Sequence, residues 1–268
     1  MTAALQIPPL PAAHARALAL LMERDVGLAE VVAAIIEPDP GLTAAVLRAA
    51  NSAESAPVDR ITRAGDAIVR LGARTARALV IASMLRGRME RLSTAKLDLE
   101  ELWRHLIGVG LIADASLSVA RGDARVPAFT AGLLHDVGRI ALAASQPPHY
   151  ARIARLVREG RDAREAERHV LGVDHEQFGA EVAAHWGLPS EIAEAVTGHH
   201  EPGAGETARH VAVARRIAGR LSIGDGLHFA DDPRLTALGS EEDRLILATL
   251  GGPQALQRRI AWFRGAIG

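Results

Sequence analysis

The chain has 268 residues, of which 49% are hydrophobic and 24% are charged, and its formal net charge is −1 at pH 7. A chain of this length can bury a large core, as one domain or two small ones, and its near-neutral charge favours neither nucleic acid nor an anionic membrane as partner. It contains no cysteine, which excludes disulfides, thiolate catalysis and cysteine-ligated zinc.

The N-terminal residues lack the basic segment and the apolar run of a signal peptide. The longest apolar stretch, residues 76–85, is shorter than the about 18 residues that a membrane span needs. Arginine and alanine are abundant while Lys96 is the single lysine, which is typical of a GC-rich bacterial genome. We therefore predict a soluble, cytoplasmic bacterial protein.

The spacing of apolar residues predicts an all-α protein. Aromatic residues make up only 3% of the chain, and apolar residues recur three and four positions apart in almost every segment. Glycine and proline mark the predicted helix ends. In the first part of the chain the predicted helices are one that follows Pro11 and runs to about residue 23, and then 28–36, 41–50, 62–71 and 73–89.

A polar segment, residues 93–98, predicts a boundary. The helices predicted after it are 99–120, 128–144, 150–159, 163–171, 174–186, 190–199 and 207–221, followed by two in the tail. Asp174, Ser190 and Ser240 are expected to cap helices, and Pro147-Pro148 is expected to break one. The predicted parts are 1–95, 96–226 and a C-terminal helical extension, 227–268.

The pair His135-Asp136 is the most informative feature of the sequence. An imidazole and a carboxylate stand side by side within an otherwise apolar predicted helix. An unpaired charge in an apolar setting costs several kcal/mol, roughly, so the pair needs a partner. A metal ion, another charged side chain and a substrate are the three alternatives.

Short motifs along the chain resemble a known family. Those of the first half are Pro8-Pro9-Leu10-Pro11, Asp39-Pro40, Leu42, Leu47 and Ala50-Asn51-Ser52-Ala53. Those of the second half are Leu102-Trp103-Arg104-His105, residues 131–138, residues 171–175 and Trp186-Gly187-Leu188-Pro189. In this order, from about residue 5 to about residue 224, the chain resembles HDOD domains. The resemblance implies an N-terminal helical lobe packed on a helical bundle similar to the HD phosphohydrolase fold.

Similarity to the HD superfamily also implies a metal site built from a first His, the His-Asp pair, further His residues and a late Asp. The matching residues of this chain are His105, His135, Asp136, His175, His199 and His200. Mn²⁺, Fe²⁺ or Mg²⁺ would suit such ligands. A structural reading stays open, because His175 follows a helix cap and His199-His200 could simply end a helix, where His interacts with the dipole.

Departures from the family pattern weigh against an enzyme. Arg215 stands where the late Asp is expected, and we hypothesise that it reaches towards Asp136 in place of a cation. The segment His199-His200-Glu201 is similar to the cyclic-di-GMP phosphodiesterase branch, but the tryptophan, Asp-Gly and Gly-Tyr-Pro of that branch are missing. That branch also has lysine where this chain has Arg139. We do not expect Asp225, Asp231 or Asp232 to supply the missing carboxylate.

The sequence thus favours a regulatory HDOD module that is not catalytic and that binds a protein partner or a nucleotide second messenger. No catalytic residue is assigned. The alternative is a metal-dependent phosphohydrolase of unknown substrate. A nucleic-acid partner is not expected, because there are few aromatic residues to stack bases beside the arginine-rich helices of the first half. The near-neutral net charge favours no membrane partner.

Overall fold

The computed structural model describes residues 5–10, 12–22, 27–52, 55, 57, 59–92, 97–121, 128–201, 205–227 and 240–267. Within these ranges the chain forms helices and turns and no strand, which confirms the all-α prediction. The helices are α1 (Ala12–Met22), α2 (Leu28–Val31), α3 (Pro40–Ala50), α4 (Ala64–Leu71), α5 (Ala73–Leu92), α6 (Leu99–Arg121), α7 (Ala128–Leu134), α8 (Val137–Ser145), α9 (Pro147–Arg158), α10 (Ala163–Leu171), α11 (His175–His185), α12 (Ser190–Gly198), α13 (Glu206–Arg220), α14 (Glu241–Thr249) and α15 (Pro253–Ile267). A π-helical turn, Val32–Ile36, continues α2 directly.

Two local predictions are wrong, and one helix begins earlier than predicted, directly after the break expected at Pro147-Pro148. The single helix predicted over 128–144 is two helices, separated by a turn at His135 and Asp136. Pro147-Pro148 begins α9 rather than only ending its predecessor, because proline at the first helical position costs no hydrogen bond. Ser190 does not cap α12: Pro189 occupies the cap position, and the Ser190 hydroxyl donates to Glu191 instead. The caps predicted at Asp174 and Ser240 are formed.

The chain folds into two compact units. One consists of Met1–Pro9 and Glu90–Gln257, and the other of Leu10–Met89 and Arg258–Gly268. The three-part division at 95/96 and 226/227 stays a prediction about folding units.

The smaller unit contains α3, α4 and part of α15. The Asn51 side chain closes the connection between α3 and α4, since it donates to Ile61 O (2.8 Å) and accepts from Ile61 N (2.8 Å). From α15, the Trp262 indole donates to Ser52 Oγ (2.7 Å), while Phe263 is 2% exposed. These contacts place the C-terminal aromatic residues in the packing of this unit.

Helix α6 is the centre of the larger unit and packs against α7, α13 and α14. Residues 99–120 are long and apolar enough for a membrane span, contrary to our expectation that no stretch would be. However, 78% of that window is buried inside the protein, as in a core helix.

Two glycines bring the helices of this unit close enough to position the His135-Asp136 turn. A Cβ on Gly132 of α7 would lie 2.7 Å from the Cα of Gly110 on α6. A Cβ on Gly138 of α8 would lie 2.0 Å from the carbonyl oxygen of His175 and 2.7 Å from the Cα of Gly179, both on α11. The turn is therefore held against α6 on one side and α11 on the other.

Candidate metal centre

Four histidines and one aspartate from four parts of the larger unit meet in its core. His135 and Asp136 form the turn between α7 and α8, and neither has any exposed surface. His105 comes from α6, His175 begins α11, and His199 ends α12. Neighbouring imidazole rings lie 4.8 to 5.3 Å apart, centre to centre, from His105 to His135, His199 and His175 in turn.

Every one of these four rings is oriented through its Nδ1 atom. His105 Nδ1 lies 3.1 Å from Ile223 O, and His135 Nδ1 lies 2.7 Å from Gly132 O. Carbonyl oxygens only accept hydrogen bonds, so both Nδ1 atoms carry the proton and both Nε2 atoms keep a lone pair.

The other two rings follow the same rule. His175 Nδ1 lies 2.6 Å from Glu167 Oε2, and His199 Nδ1 lies 2.9 Å from Ala195 O. Histidines that ligate metals in proteins are held in this way, with the second ring nitrogen donating to a carbonyl or a carboxylate. All four rings therefore carry the proton on Nδ1 and keep the lone pair on Nε2, the form in which a histidine ligates a metal.

The Asp136 carboxylate has no hydrogen-bond partner on either oxygen among the described residues, although it is completely buried. Its Oδ1 lies 3.5 Å from His175 Nε2 and 3.5 Å from His199 Nε2, and these two nitrogens are 3.3 Å apart. Bonds of about 2.0–2.1 Å at tetrahedral angles separate neighbouring ligand atoms by about 3.3–3.4 Å. This metal triangle, as we call Asp136 Oδ1, His175 Nε2 and His199 Nε2, fits one divalent ion.

The other oxygen of Asp136 faces a different set of groups. His135 Nε2 lies 3.4 Å from Oδ2, and the Arg139 guanidinium, on the first turn of α8, places Nη1 3.6 Å from it. The same Nη1 makes a close ion pair with Asp225 Oδ2. Arg139 is 0% and Asp225 3% exposed, so a complete ion pair is buried beside the histidines.

The environment fixes the protonation of the cluster. Burial opposes the charge of Asp136, but Arg139 and His135 outweigh it and hold the pKa of that carboxyl well below its ordinary value. Burial lowers the pKa of His105 to about 4 and also lowers the pKa of His199 well below its usual range. At neutral pH the site therefore offers the Asp136 carboxylate and the neutral imidazoles of His105 and His199, the forms that bind metals.

His200 lies beside the cluster but is held differently. Its Nδ1 accepts a hydrogen bond from Arg215 Nη1 (3.2 Å), so in the neutral ring Nε2 carries the proton. That Nε2 lies 3.0 Å from His175 Nε2, to which it donates. Of the six histidine and aspartate ligands predicted from the sequence, His200 therefore directs an N–H at the cluster, and the lone pair of His175 Nε2 accepts it.

Arg215 forms no ion pair with Asp136, although the two lie near enough for the Asp136 charge to act on the pKa of Arg215. Arg215 Nη1 donates to His199 O (3.3 Å) and to the ring of His200, and burial lowers the pKa of Arg215. The guanidinium within ion-pair distance of Asp136 belongs to Arg139, because a residue three positions later on the same helix start faces the same side.

Sequence reasoning missed two supporting carboxylates and doubted a third. Glu167 holds His175 and also accepts from the Tyr150 hydroxyl (3.1 Å), and Glu176 accepts from the backbone N–H of His200 (3.1 Å). The helical spacing of Ala163, Ala166 and Glu167 could have signalled a buried acid. Among the described residues, Asp225 is joined to the cluster by its ion pair with Arg139, whereas Asp231 and Asp232 lie outside these residues.

The protein is all-helical, with a His–Asp cluster buried in its larger unit. Comparison with known proteins gives its family. The HDOD domain matches residues 7–202, which is most of the chain. The chain belongs to the HDOD domain family, as the motifs indicated. No match was found among curated proteins.

Solved structures show the same fold. An HDOD domain protein of unknown function from Geobacter sulfurreducens is 24% identical, with a TM-score of 0.76 over 98% of this chain and 92% of that one. A proposed phosphohydrolase from Shewanella amazonensis SB2B is 29% identical, with a TM-score of 0.67 over 97% and 92% of the two chains. A proposed signal transduction protein from Marinobacter aquaeolei VT8 is 22% identical, with a TM-score of 0.75 over 97% of this chain and 60% of that one.

Proposed function

We propose that the chain is a non-catalytic regulatory module that binds a protein partner or a nucleotide, and that a divalent metal ion stabilises the core of its larger unit. The burial of the ligands carries this proposal: His135, Asp136, His175 and His199 are each 0% exposed. A metal-dependent hydrolase must bring a phosphate group next to a metal-bound water. Ligands without exposed surface give a phosphoester no direct access, whereas they suit a metal that stabilises the fold.

The ligand chemistry supports a transition-metal ion. Two imidazole nitrogens and one carboxylate oxygen suit Fe²⁺ or Mn²⁺ better than Mg²⁺, which prefers oxygen ligands. When bound, such an ion supplies positive charge that joins the 135–136 turn to α11 and α12. The chain's own residues do the rest: Glu167 and the Ala195 carbonyl fix the two rings, and Arg139 keeps Asp136 ionised.

The name of one similar structure is consistent with a signalling role. The Marinobacter protein carries such a name, and its likeness to this chain concerns the fold. The arginine at position 215 also supports a non-catalytic role, because guanidinium cannot ligate a metal. The same position in the HD superfamily is expected to carry an acidic ligand.

A metal-dependent phosphohydrolase is the second candidate function. It is favoured by the metal triangle itself and by the name of the Shewanella structure, which is 29% identical. His200, the partly exposed member of the cluster, marks the side from which a small substrate would approach.

Metal content and turnover, measured together, separate the two functions. We expect wild-type protein purified without chelator in the presence of Mn²⁺ or Fe²⁺ to retain metal, and Asp136→Asn to lose it. The exposed His185→Gln is the matched control and should retain metal. Neither the wild type nor His185→Gln, when loaded with metal, is expected to hydrolyse a generic phosphodiester.

Hydrolysis by the wild type that disappears in Asp136→Asn would establish the phosphohydrolase instead. Absence of metal from the wild type would mean that hydrogen bonds alone hold the cluster together. For the binding role, cyclic dinucleotides are the first probes in thermal unfolding, because a ligand that binds only the native state raises the apparent stability.

A further inference from the structure

The candidate metal ligands of the cluster fall into two groups, and the two oxygens of Asp136 face different sides of the cluster. His175, His199 and His200 form one group, and His105, His135 and Asp136 form the other; within each, candidate ligand atoms lie within 4.8 Å of one another. Judged by residue type alone, the cluster could hold two ions bridged by one carboxylate, as two-metal hydrolases do. The positions of the arginines argue otherwise.

We propose that the Arg139 guanidinium fills the position beside Asp136 Oδ2 that a second metal ion would need, so that the protein binds one divalent ion and not two. The inference rests on the proposed metal-binding function and specifies its stoichiometry and its place. The ion belongs to the metal triangle, on the Oδ1 side. On the Oδ2 side the Arg139 guanidinium already supplies the positive charge.

Arg139 is fixed where it lies. Its Nη1 contacts both Asp136 Oδ2 (3.6 Å) and Asp225 Oδ2, and the side chain has no exposed surface. Asp225 is fixed in turn, since its Oδ1 accepts from the backbone N–H of Leu227 (3.1 Å). Removal of the guanidinium from this position would leave the Asp225 carboxylate buried without its counter-charge.

A second cation beside Oδ2 would repel this guanidinium at short range in a region closed to water, where screening is weak. Both would draw on the same carboxylate oxygen. On the Oδ1 side no arginine among the described residues forms an ion pair with the carboxylate, because Arg215 directs its donors to His200 and to the His199 carbonyl. The metal triangle is therefore the part of the cluster left for an ion.

The same geometry predicts what creates the second site. In Arg139→Ala, Asp136 Oδ2 and Asp225 Oδ2 lose the group that both contact, and the Nε2 atoms of His105 and His135, which have no hydrogen-bond partner among the described residues, remain on that side. Two carboxylates and two neutral imidazoles are ligands that a divalent ion accepts.

The test is the number of Mn²⁺ ions per folded chain, measured by elemental analysis after equilibrium dialysis and by calorimetric titration. We expect one ion in the wild type, two in Arg139→Ala, and one in Arg139→Ala/Asp225→Asn, which lacks the carboxylate that would replace the guanidinium. Arg139→Lys keeps a cation and should bind one. Two ions in the wild type, or one in a folded Arg139→Ala, would overturn the inference.

If Arg139→Ala does not fold, two single variants of the wild type decide. The inference predicts that His105→Gln retains one ion and that His199→Gln loses it, and the reverse pattern would overturn it. No ion in the wild type would contradict the metal-binding proposal and this inference together. Two ions would contradict only the inference, so the two failures are distinguishable.

Discussion

The two sides of the Asp136 carboxylate show how one buried charge is treated in two ways. On the Oδ2 side its charge is met by Arg139, which is balanced by Asp225. On the Oδ1 side it faces the lone pairs of His175 and His199 at 3.5 Å, with no cation among the described residues within ion-pair distance. The described residues supply a counter-charge within ion-pair distance on one side and none on the other, where we propose that an ion binds.

The largest expected loss of stability comes from breaking the Arg139–Asp225 ion pair on the Oδ2 side. Asp225→Asn keeps the shape of the residue but leaves Arg139 with a single carboxylate, and loss of one partner from a buried ion pair costs about 3–5 kcal/mol. Urea unfolding would measure the change in the free energy of unfolding.

The matched control for that variant is Glu159→Gln. Its ion pair with Arg155, at 3.8 Å, joins two side chains that are 61% and 64% exposed. Such pairs contribute less than about 1 kcal/mol after solvent screening. Equal effects of the two variants would contradict the structural role of the buried pair.

The next largest expected change in stability comes from binding of Mn²⁺ at the metal triangle on the Oδ1 side. At a free Mn²⁺ concentration about 100 times its dissociation constant, binding to the native state adds about 2.7 kcal/mol of stability. We expect chelator to remove this gain in the wild type. His199→Gln should show no gain, and His105→Gln should keep it, as thermal unfolding with and without Mn²⁺ would reveal.

A smaller effect comes from separating the helices that carry the metal triangle. In Gly138→Ala the new Cβ would meet the His175 carbonyl oxygen at 2.0 Å, which forces α8 away from α11. Overpacking of this kind costs about 1–3 kcal/mol, and we also expect weaker Mn²⁺ binding. Gly65→Ala on α4, where a Cβ meets nothing within 4 Å, should be neutral or slightly stabilising.

The smallest effect is the pH dependence of the metal-free protein. Burial lowers the pKa of His105 from 6.5 to about 4, so between these values the unfolded chain binds a proton that the folded chain does not. The free energy of unfolding should therefore fall as pH drops below 6.5, by up to about 1.4 kcal/mol per pH unit for each such histidine.

Urea unfolding in chelator at pH 7.5, 6.5 and 5.5 would measure this slope. His105→Gln should reduce the slope of the unfolding free energy against pH by the contribution of one histidine, up to about 1.4 kcal/mol per pH unit. A variant with an unchanged slope would show that His105 does not contribute.

The sequence predicted the helices and most of the cluster because both are local signals. Apolar spacing marks the helices, and His135-Asp136 stands out within an apolar segment. The break of the helix at these two residues was missed, because it depends on Gly138 packing against α11, which is distant in sequence. Asp225 was discounted for a similar reason: its ion pair with Arg139 spans 86 residues, and no periodicity encodes it. Arg215 lay on the expected helix, but its contact depended on the position of His200.

The most direct test of the central claim is a crystal structure of the protein grown with Mn²⁺, with anomalous scattering used to locate the ion. We predict one anomalous peak, bounded by Asp136 Oδ1, His175 Nε2 and His199 Nε2, with Arg139 still paired with Asp225. A peak between His105 and His135, with Arg139 displaced from Asp136, would contradict it.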